Sequence, residues 1–305
     1  MRVVFAGTPS PALPSLEAIA ASRHDLVAVV SRPAAAQGRS SRLVPSPVAR
    51  WAEDRGIEVL TPDHPRDREF RARLAEIAPQ CCPVVAYGAL LPERTLAIPT
   101  HGWVNLHFSV LPAYRGAAPV QRAIMDGAAA TGATTFRIVK ELDAGPVYRT
   151  LTDEIGPADT SGDLLDRLGL RGADLLVETL DAIEAGEQPV PQPTDTISYA
   201  PKVEPEDVRI DWSLPAAEID RLVRGANPEP GAWTTLAGER FKVLLAEPTA
   251  DALPPGGIEG RRKEVLVGTG DGSLRLLQVQ AHGKKPMGGA DWARGAHLTG
   301  DEVFA

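Results

Sequence analysis

The stretch Val3-Val4-Phe5-Ala6-Gly7-Thr8-Pro9 is a short apolar run that ends in turn residues. Apolar residues then recur at helical spacing, which predicts a helix from about Pro11 to Ser22. A second apolar run follows at Leu26 to Val30. A buried strand, a turn, a helix and another buried strand are typical of a parallel sheet with helices packed against it.

The same alternation continues to about residue 185. The further strand-like runs are Ile57 to Leu60, Cys81 to Ala86, Trp103 to Leu106 and Thr134 to Val139. The further helices are predicted at Pro47 to Arg55, Arg66 to Ala78 and Ser161 to Ala185. Gly169 and Gly172 are the positions at which the last helix could be interrupted, because glycine has a low helix propensity. The sequence therefore predicts an α/β fold with a Rossmann-like, mostly parallel sheet.

The composition changes at Gly186 to Pro193, which is rich in proline and polar residues and is typical of a linker. A helix is predicted near Pro215 to Arg224. Short strand-like pieces separated by turn signals follow it, at Arg240 to Ala246, Val265 to Gly268 and Ser273 to Gln280. This pattern predicts a smaller C-terminal β-barrel of the OB-like type. We expect a catalytic domain at 1–188, a linker at 189–203 and the barrel at 204–305.

Composition excludes several classes of protein. With 305 residues, 43% hydrophobic and 24% charged, the chain is neither disordered nor a disulfide miniprotein. No apolar run approaches the roughly 18 residues of a membrane helix, so we expect a cytoplasmic protein. Cys81 and Cys82 lie in an apolar run and are interpreted as core residues. The six scattered histidines have no metal-ligand spacing, so no metal is expected.

The charge distribution leaves room for a nucleic-acid partner. The net charge of −8 argues against one, but Leu26 to Ala52 contains four arginines and no acidic residue. The acidity is concentrated elsewhere, notably between Leu151 and Asp207. A basic site can therefore persist on an acidic protein.

The residues with the clearest chemistry lie at the ends of two predicted strands. Gly7-Thr8-Pro9 has only one of the three glycines of a dinucleotide-binding turn, which excludes that interpretation. Alternation places Asn105 and His107 on the same side of a strand end, where ligands bind in open α/β sheets. Asp143 follows a later strand in a turn. An amide donor, an imidazole and a carboxylate suit acyl transfer to an amine. The spacing alone is equally compatible with a buried core histidine beside a turn asparagine.

The chain resembles the folate-dependent formyltransferases. Their signature is similar to Asn105-Leu106-His107-Phe108-Ser109-Val110-Leu111-Pro112, Tyr114-Arg115-Gly116 and Leu142-Asp143-Ala144-Gly145. Stretches in both halves resemble the members that formylate initiator methionyl-tRNA, among them Phe5-Ala6-Gly7-Thr8-Pro9, Arg209-Ile210-Asp211-Trp212 and Gly283-Lys284-Lys285-Pro286-Met287. The resemblance covers nearly the whole chain.

The resemblance implies a formyl donor, an acceptor and a set of residues. The donor is 10-formyltetrahydrofolate, and the acceptor is initiator methionyl-tRNA in a bacterium. Catalysis is expected from Asn105, His107 and Asp143. The folate site is expected to be lined by Ser109, Val110, Leu111 and Pro112. The tRNA contacts are expected from Arg39, Arg42, Lys284 and Lys285. A monomer is also implied.

Two alternatives stay open at this stage. The first is a formyltransferase acting on a small amine, which would share Asn105, His107 and Asp143 but would not need the acid-free arginine loop. The second is a non-catalytic RNA-binding protein, against which the presence of all three polar residues argues. Without the family resemblance, a solvated surface loop would be the favoured interpretation of Arg39 and Arg42.

Overall fold

The computed structural model describes residues 1–36, 42–298 and 300–305. In these ranges the α-helices are α1 (Leu13–Ala21), α2 (Pro47–Glu53), α3 (Arg68–Ile77), α4 (Glu93–Leu96), α5 (Pro119–Met125), α6 (Ser161–Glu184), α7 (Ala216–Ala226) and α8 (Gly289–Ala296). The strands of the first 200 residues are β1 (Arg2–Gly7), β2 (Asp25–Val30), β3 (Ala35–Ala36), β4 (Leu43–Val44), β5 (Glu58–Leu60), β6 (Cys82–Val85), β7 (Trp103–His107), β8 (Arg115–Gly116), β9 (Ala130–Arg137), β10 (Val147–Glu154) and β11 (Tyr199–Ala200). The remaining strands are β12 (Ala232–Leu236), β13 (Glu239–Thr249), β14 (Ile258–Gly260), β15 (Val265–Gly268), β16 (Ser273–Gln280) and β17 (Met287–Gly288).

Contacts divide the chain into two compact units. The first consists of Met1–Gly116, Thr131–Glu154 and Leu165–Tyr199, and the second of Ala117–Ala130, Ile155–Leu164 and Ala200–Ala305. Two short segments that precede residue 165 thus belong to the second unit, together with the C-terminal part of the chain. The boundaries expected from sequence, at 188 and 203, stay a prediction.

No helix in the described ranges is long and apolar enough to cross a bilayer.

A seven-stranded sheet forms the centre of the first unit. Its strand order is β10-β9-β7-β6-β1-β2-β5. Strands β5, β2, β1, β6 and β7 pair in parallel, and β9 runs antiparallel to β7. The predicted α/β class with a mostly parallel sheet is confirmed. The carboxyl ends of the parallel strands therefore meet at one edge, where strand β7 ends at His107.

One core cluster forms on a single face of this sheet. Val4, Ala6, Val84 and Trp103 contribute to it from the strands, and α3 adds Phe70, Leu74 and Ile77. The indole Nε1 of the fully buried Trp103 donates a hydrogen bond to the carbonyl of Thr95 at 3.0 Å. That bond satisfies the polar atom of the residue that begins β7.

Helix α6 runs without a break, although two glycines made an interruption plausible. A Cβ on Gly172 would lie 2.8 Å from Cδ2 of Leu106, so the missing side chain lets the helix approach strand β7. A Cβ on Gly169 would meet nothing closer than 3.5 Å. The helix tolerates the propensity cost of both glycines because tertiary packing stabilises it.

The second unit contains a curled antiparallel sheet, a half-barrel, which confirms the predicted small β-domain. The strand order is β12-β13-β16-β15-β14, with β17 paired to β16. The two-residue turn Ala237-Gly238 joins β12 to β13, and both residues have positive φ angles, 50° and 81°. Such a turn matches the twist of a hairpin. The core is built around Phe241, Trp292 and Phe304, whose ring centroids lie 4.7–6.1 Å apart.

Candidate active site

Strand β7 presents the two predicted side chains at the carboxyl edge of the sheet. Asn105 pairs with Val84 of β6 and Phe136 of β9, and His107 is the last residue of the strand. The pleat places Asn105 and His107 on one side and Leu106 on the other, against Gly172. The sequence prediction of a shared face is therefore confirmed.

The imidazole of His107 is buried and oriented by a carbonyl. Its side chain is 6% exposed, and its Nε2 lies 2.8 Å from the carbonyl oxygen of Tyr114. Since a carbonyl only accepts, Nε2 carries the proton and Nδ1 has the free lone pair in the neutral ring. Burial lowers the pKa of His107 below its ordinary value of 6.5, and the carboxylate of Asp143 opposes part of that shift. The ring is therefore neutral at pH 7.

Asp143 faces the free nitrogen of that ring. Its Oδ2 lies 3.8 Å from Nδ1 of His107 and accepts a hydrogen bond from the backbone N–H of Gly116 at 2.8 Å. Asp143 has a φ of 47°, in the left-handed region that aspartate tolerates better than most residues. A Cβ on Gly145 would lie 1.7 Å from the carbonyl oxygen of Arg137, so the tight path of this loop requires glycine there.

The amide of Asn105 is half-buried and makes no hydrogen bond among the residues that the structure describes. A polar group that is partly withdrawn from water without a protein partner is free to bind a substrate atom. The amide of Asn105 and the imidazole of His107 thus lie on the same strand, and the carboxylate of Asp143 faces that imidazole.

The segment predicted to line the folate site forms the turn after β7. Ser109 is fully buried, and its hydroxyl donates to the carbonyl of Ala113 at 2.6 Å. Leu111 and Pro112 are also buried, whereas Val110 is half-buried. The role of these four residues stays a prediction, but the contacts favour Val110 and the backbone over the Ser109 hydroxyl as ligand contacts.

The predicted tRNA contacts are distributed over two units. Arg42 is exposed and immediately precedes β4 in the first unit. Lys284 and Lys285 are exposed in the turn between β16 and β17 of the second unit. Arg39 lies outside the described residues. Exposure fits a phosphate contact for the three that are described, and their role stays a prediction.

Sequence reasoning did not single out the groups that fix the catalytic loop. Tyr114 and Gly116 act through their backbone and were quoted only as part of a motif. Arg115 is 8% exposed and binds the side chain of Gln192, which in turn reaches the carbonyls of Asp143 and Gly145. The signal available in the sequence was an arginine beside the motif glycine. Gln192 had none, because it lies in a segment with the composition of a linker.

In the described ranges, one group of side chains lies close enough together to hold a metal ion, but an arginine already pairs with its carboxylates. His24, Asp181 and Glu184 lie together in the first unit. Arg23 binds both carboxylates, at 2.6 Å from Asp181 and 2.7 Å from Glu184. A guanidinium therefore already neutralises these acids.

Comparison with known proteins matches both halves of the chain. The formyl transferase family model covers residues 1–180, and the model of the formyl transferase C-terminal domain covers residues 202–297. A methionyl-tRNA formyltransferase of Streptomyces avermitilis is 58% identical over 306 residues, which is 99% of each chain. One from a Nocardioides species is 60% identical over 98% of this chain and 96% of its own.

Solved structures share the fold at lower identity. HypX from Aquifex aeolicus, in complex with tetrahydrofolic acid, superposes with a TM-score of 0.67 at 19% identity. The match covers 98% of this chain and 48% of that one. The site geometry, the two family models and the full-length relatives agree. The chain belongs to the formyl transferase family and, within it, to the methionyl-tRNA formyltransferases.

Proposed function

We propose that Asn105, His107 and Asp143 carry out the formyl transfer that this chain performs. The reaction moves the formyl group of 10-formyltetrahydrofolate to the α-amino group of methionine on initiator tRNA. The observation that carries the proposal is the 3.8 Å separation between Nδ1 of His107 and Oδ2 of Asp143, beside the unengaged amide of Asn105.

His107 and Asp143 together form a receptor for an N–H group. Both facing atoms are hydrogen-bond acceptors, because Nε2 of His107 holds the ring proton against Tyr114. Two acceptors held 3.8 Å apart repel each other unless a donor lies between them. The α-amine of methionine has the hydrogens to fill that position, and it must be neutral to attack.

The three side chains then have distinct tasks. The folate donor supplies an activated formyl carbon. Nδ1 of His107 accepts the proton that the amine loses as the new C–N bond forms, and Asp143 stabilises the resulting imidazolium. Asn105 donates to the formyl oxygen while that oxygen gains charge. His107 returns the proton to the nitrogen that leaves, so the enzyme ends as it began.

The donor site is proposed along Ser109, Val110, Leu111 and Pro112. This segment continues directly from His107, and Val110 is its half-buried member. A folate seated on it would have its formyl group beside Asn105 and His107. The site residues fit such a donor, because they offer an amide donor and a proton acceptor, and a single acyl transfer from an activated donor needs no covalent enzyme intermediate.

The tRNA is proposed to contact Arg39, Arg42, Lys284 and Lys285 through its phosphates. We place the catalytic domain at 1–188, the linker at 189–203 and the β-domain at 204–305. We further propose a cytoplasmic monomer. The bacterial origin of the relatives supports the cytoplasmic location.

The experiment is a formyl-transfer assay with three acceptors: charged initiator tRNA, glycinamide ribonucleotide and a nucleotide-linked amino sugar. We expect turnover with the tRNA only, and its loss in His107→Ala. Faster transfer to either small amine would contradict the proposed acceptor. Unchanged turnover in His107→Ala would contradict the proposed site.

A further inference from the structure

Gln192 connects the segment after α6 with the loop that carries Asp143. Its Nε2 donates to the carbonyl of Asp143 and to the carbonyl of Gly145, both at 2.8 Å. Its Oε1 accepts from Arg115, at 2.6 Å from NH2 and 3.2 Å from Nε. All the polar atoms of this amide are therefore engaged, although the side chain is only half-buried.

These contacts close a ring around the carboxylate. Gln192 holds the backbone of Asp143, and the N–H of Gly116 holds its Oδ2. Gly116 directly follows Arg115, the residue that orients the Gln192 amide. Asp143 is thus fixed at both its main chain and its side chain. Since its φ of 47° is intrinsically unfavourable for a non-glycine residue, the loop needs such external bonds to keep this conformation.

We propose that Gln192 is a positioning residue that keeps the carboxylate of Asp143 facing Nδ1 of His107. This inference rests on the proposed catalytic role of Asp143. Glutamine is suited to the task because its amide presents two donors and one acceptor in a plane. Both donors hold loop carbonyls, and the acceptor anchors the amide to the buried Arg115.

Loss of the Nε2 donors has two consequences. The loop is released, so the carboxylate of Asp143 spends less time beside His107, and a misplacement on the order of 1 Å lowers kcat about 100-fold. His107 stays buried but loses the nearby anion that raises its pKa, so that pKa falls further. A residue with a merely structural role would not move the pKa of His107.

The test compares Gln192→Ala and Gln192→Glu with the matched control Gln188→Ala. Gln188 lies in the same segment and is exposed, and its side-chain amide donates to the carbonyl of Gly186. The glutamate variant keeps an acceptor for Arg115 and strengthens that contact, but it presents an oxygen to the two loop carbonyls. If the role of Gln192 were to anchor Arg115, the glutamate would restore activity; if Gln192 holds the loop, it would not.

We expect both Gln192 variants to lower kcat by about 10- to 100-fold, with KM for tRNA within about twofold of wild type. In Gln192→Ala, the acid limb of the pH profile and the pKa of His107 followed by NMR should both shift to lower pH. Gln188→Ala should match wild type in all four quantities.

Two results distinguish this inference from the proposed function. Wild-type turnover in Asp143→Ala would contradict the catalytic role of Asp143 itself. Loss of turnover in Asp143→Ala, together with wild-type kcat and pH profile in Gln192→Ala, would overturn only the role of Gln192. Restored kcat in Gln192→Glu would also overturn it. Thermal unfolding of each variant verifies that the folded protein is being measured.

Discussion

At the level of single residues, the proposed chemistry depends on which nitrogen of His107 carries the proton. The carbonyl of Tyr114 fixes that proton on Nε2, and so directs the free lone pair toward Asp143. The sequence could place His107 beside Asn105 through strand alternation. It could not predict the tautomer, because Tyr114 reaches His107 through a backbone atom in a turn that has no periodic signal.

The pKa of His107 predicts the pH dependence of the reaction. In the proposed mechanism the neutral ring accepts the proton, so kcat/KM should fall as pH drops through the pKa of His107, which burial holds below 6.5. Above that pH, this residue should cause no further change. A pH profile of kcat/KM is the measurement, and His107→Ala should abolish the acid limb. Activity that rises on acidification would contradict the assignment of His107 as the acceptor.

Cys81 and Cys82 should be chemically inert in the folded protein. Both are fully buried, and burial raises the pKa of Cys81 to about 12 and that of Cys82 as well. Because the thiolate is the reactive form, a thiol reagent at pH 7 should label neither residue and leave turnover unchanged. Two thiols should titrate after unfolding in denaturant. Rapid labelling of the native protein would show that this strand opens readily.

At the scale of elements, two glycines of α6 make a matched pair. Gly172 faces Leu106, whose Cδ2 would lie 2.8 Å from a Cβ at that position, whereas Gly169 has ordinary clearance. Gly169→Ala should therefore stabilise the protein by up to about 1 kcal/mol through helix propensity. Gly172→Ala should destabilise it by about 1–3 kcal/mol through overpacking against β7. Denaturant unfolding of the two variants checks both signs, and equal shifts would contradict the packing argument.

Periodicity predicted the parallel strands and most helices, because buried strands give apolar runs and α3 and α6 have clear apolar faces. It missed β10 and β12, which mix polar and apolar residues, and the short helices α5 and α8. Helix α5 packs on α7 of the same unit, where Gly225 lies close to Met125. These two helices are about 100 residues apart in the chain. Contacts over that distance leave no local pattern in the sequence, so the sequence could not reveal that α5 belongs with α7.

At the scale of the whole molecule, a net charge of −8 has to coexist with binding of a polyanion. The proposed solution is local basic clusters that contact phosphates. Each contact releases counterions, and so contributes about 1 to the slope of log affinity against log salt. A protein with an overall negative field needs such contacts because long-range attraction does not assist it.

The double substitution Lys284→Ala and Lys285→Ala should weaken binding of charged tRNA and reduce the salt slope by about 2, with folate binding unchanged. The control is Lys140→Ala, an exposed lysine outside the proposed contacts. Affinity measured over a range of salt concentrations decides the matter. An unchanged slope in the double variant would assign tRNA binding to other residues.

We propose that the carboxylate of Asp143 takes part in the transfer step beside His107. The most direct measurement is the single-turnover rate of formyl transfer to initiator methionyl-tRNA by Asp143→Asn, with enzyme in excess and both substrates saturating. Asparagine preserves the shape and can still accept from the N–H of Gly116, but it removes the charge that faces Nδ1. We expect a rate lower by about 10²- to 10⁴-fold. A rate within about threefold of wild type would contradict this proposal.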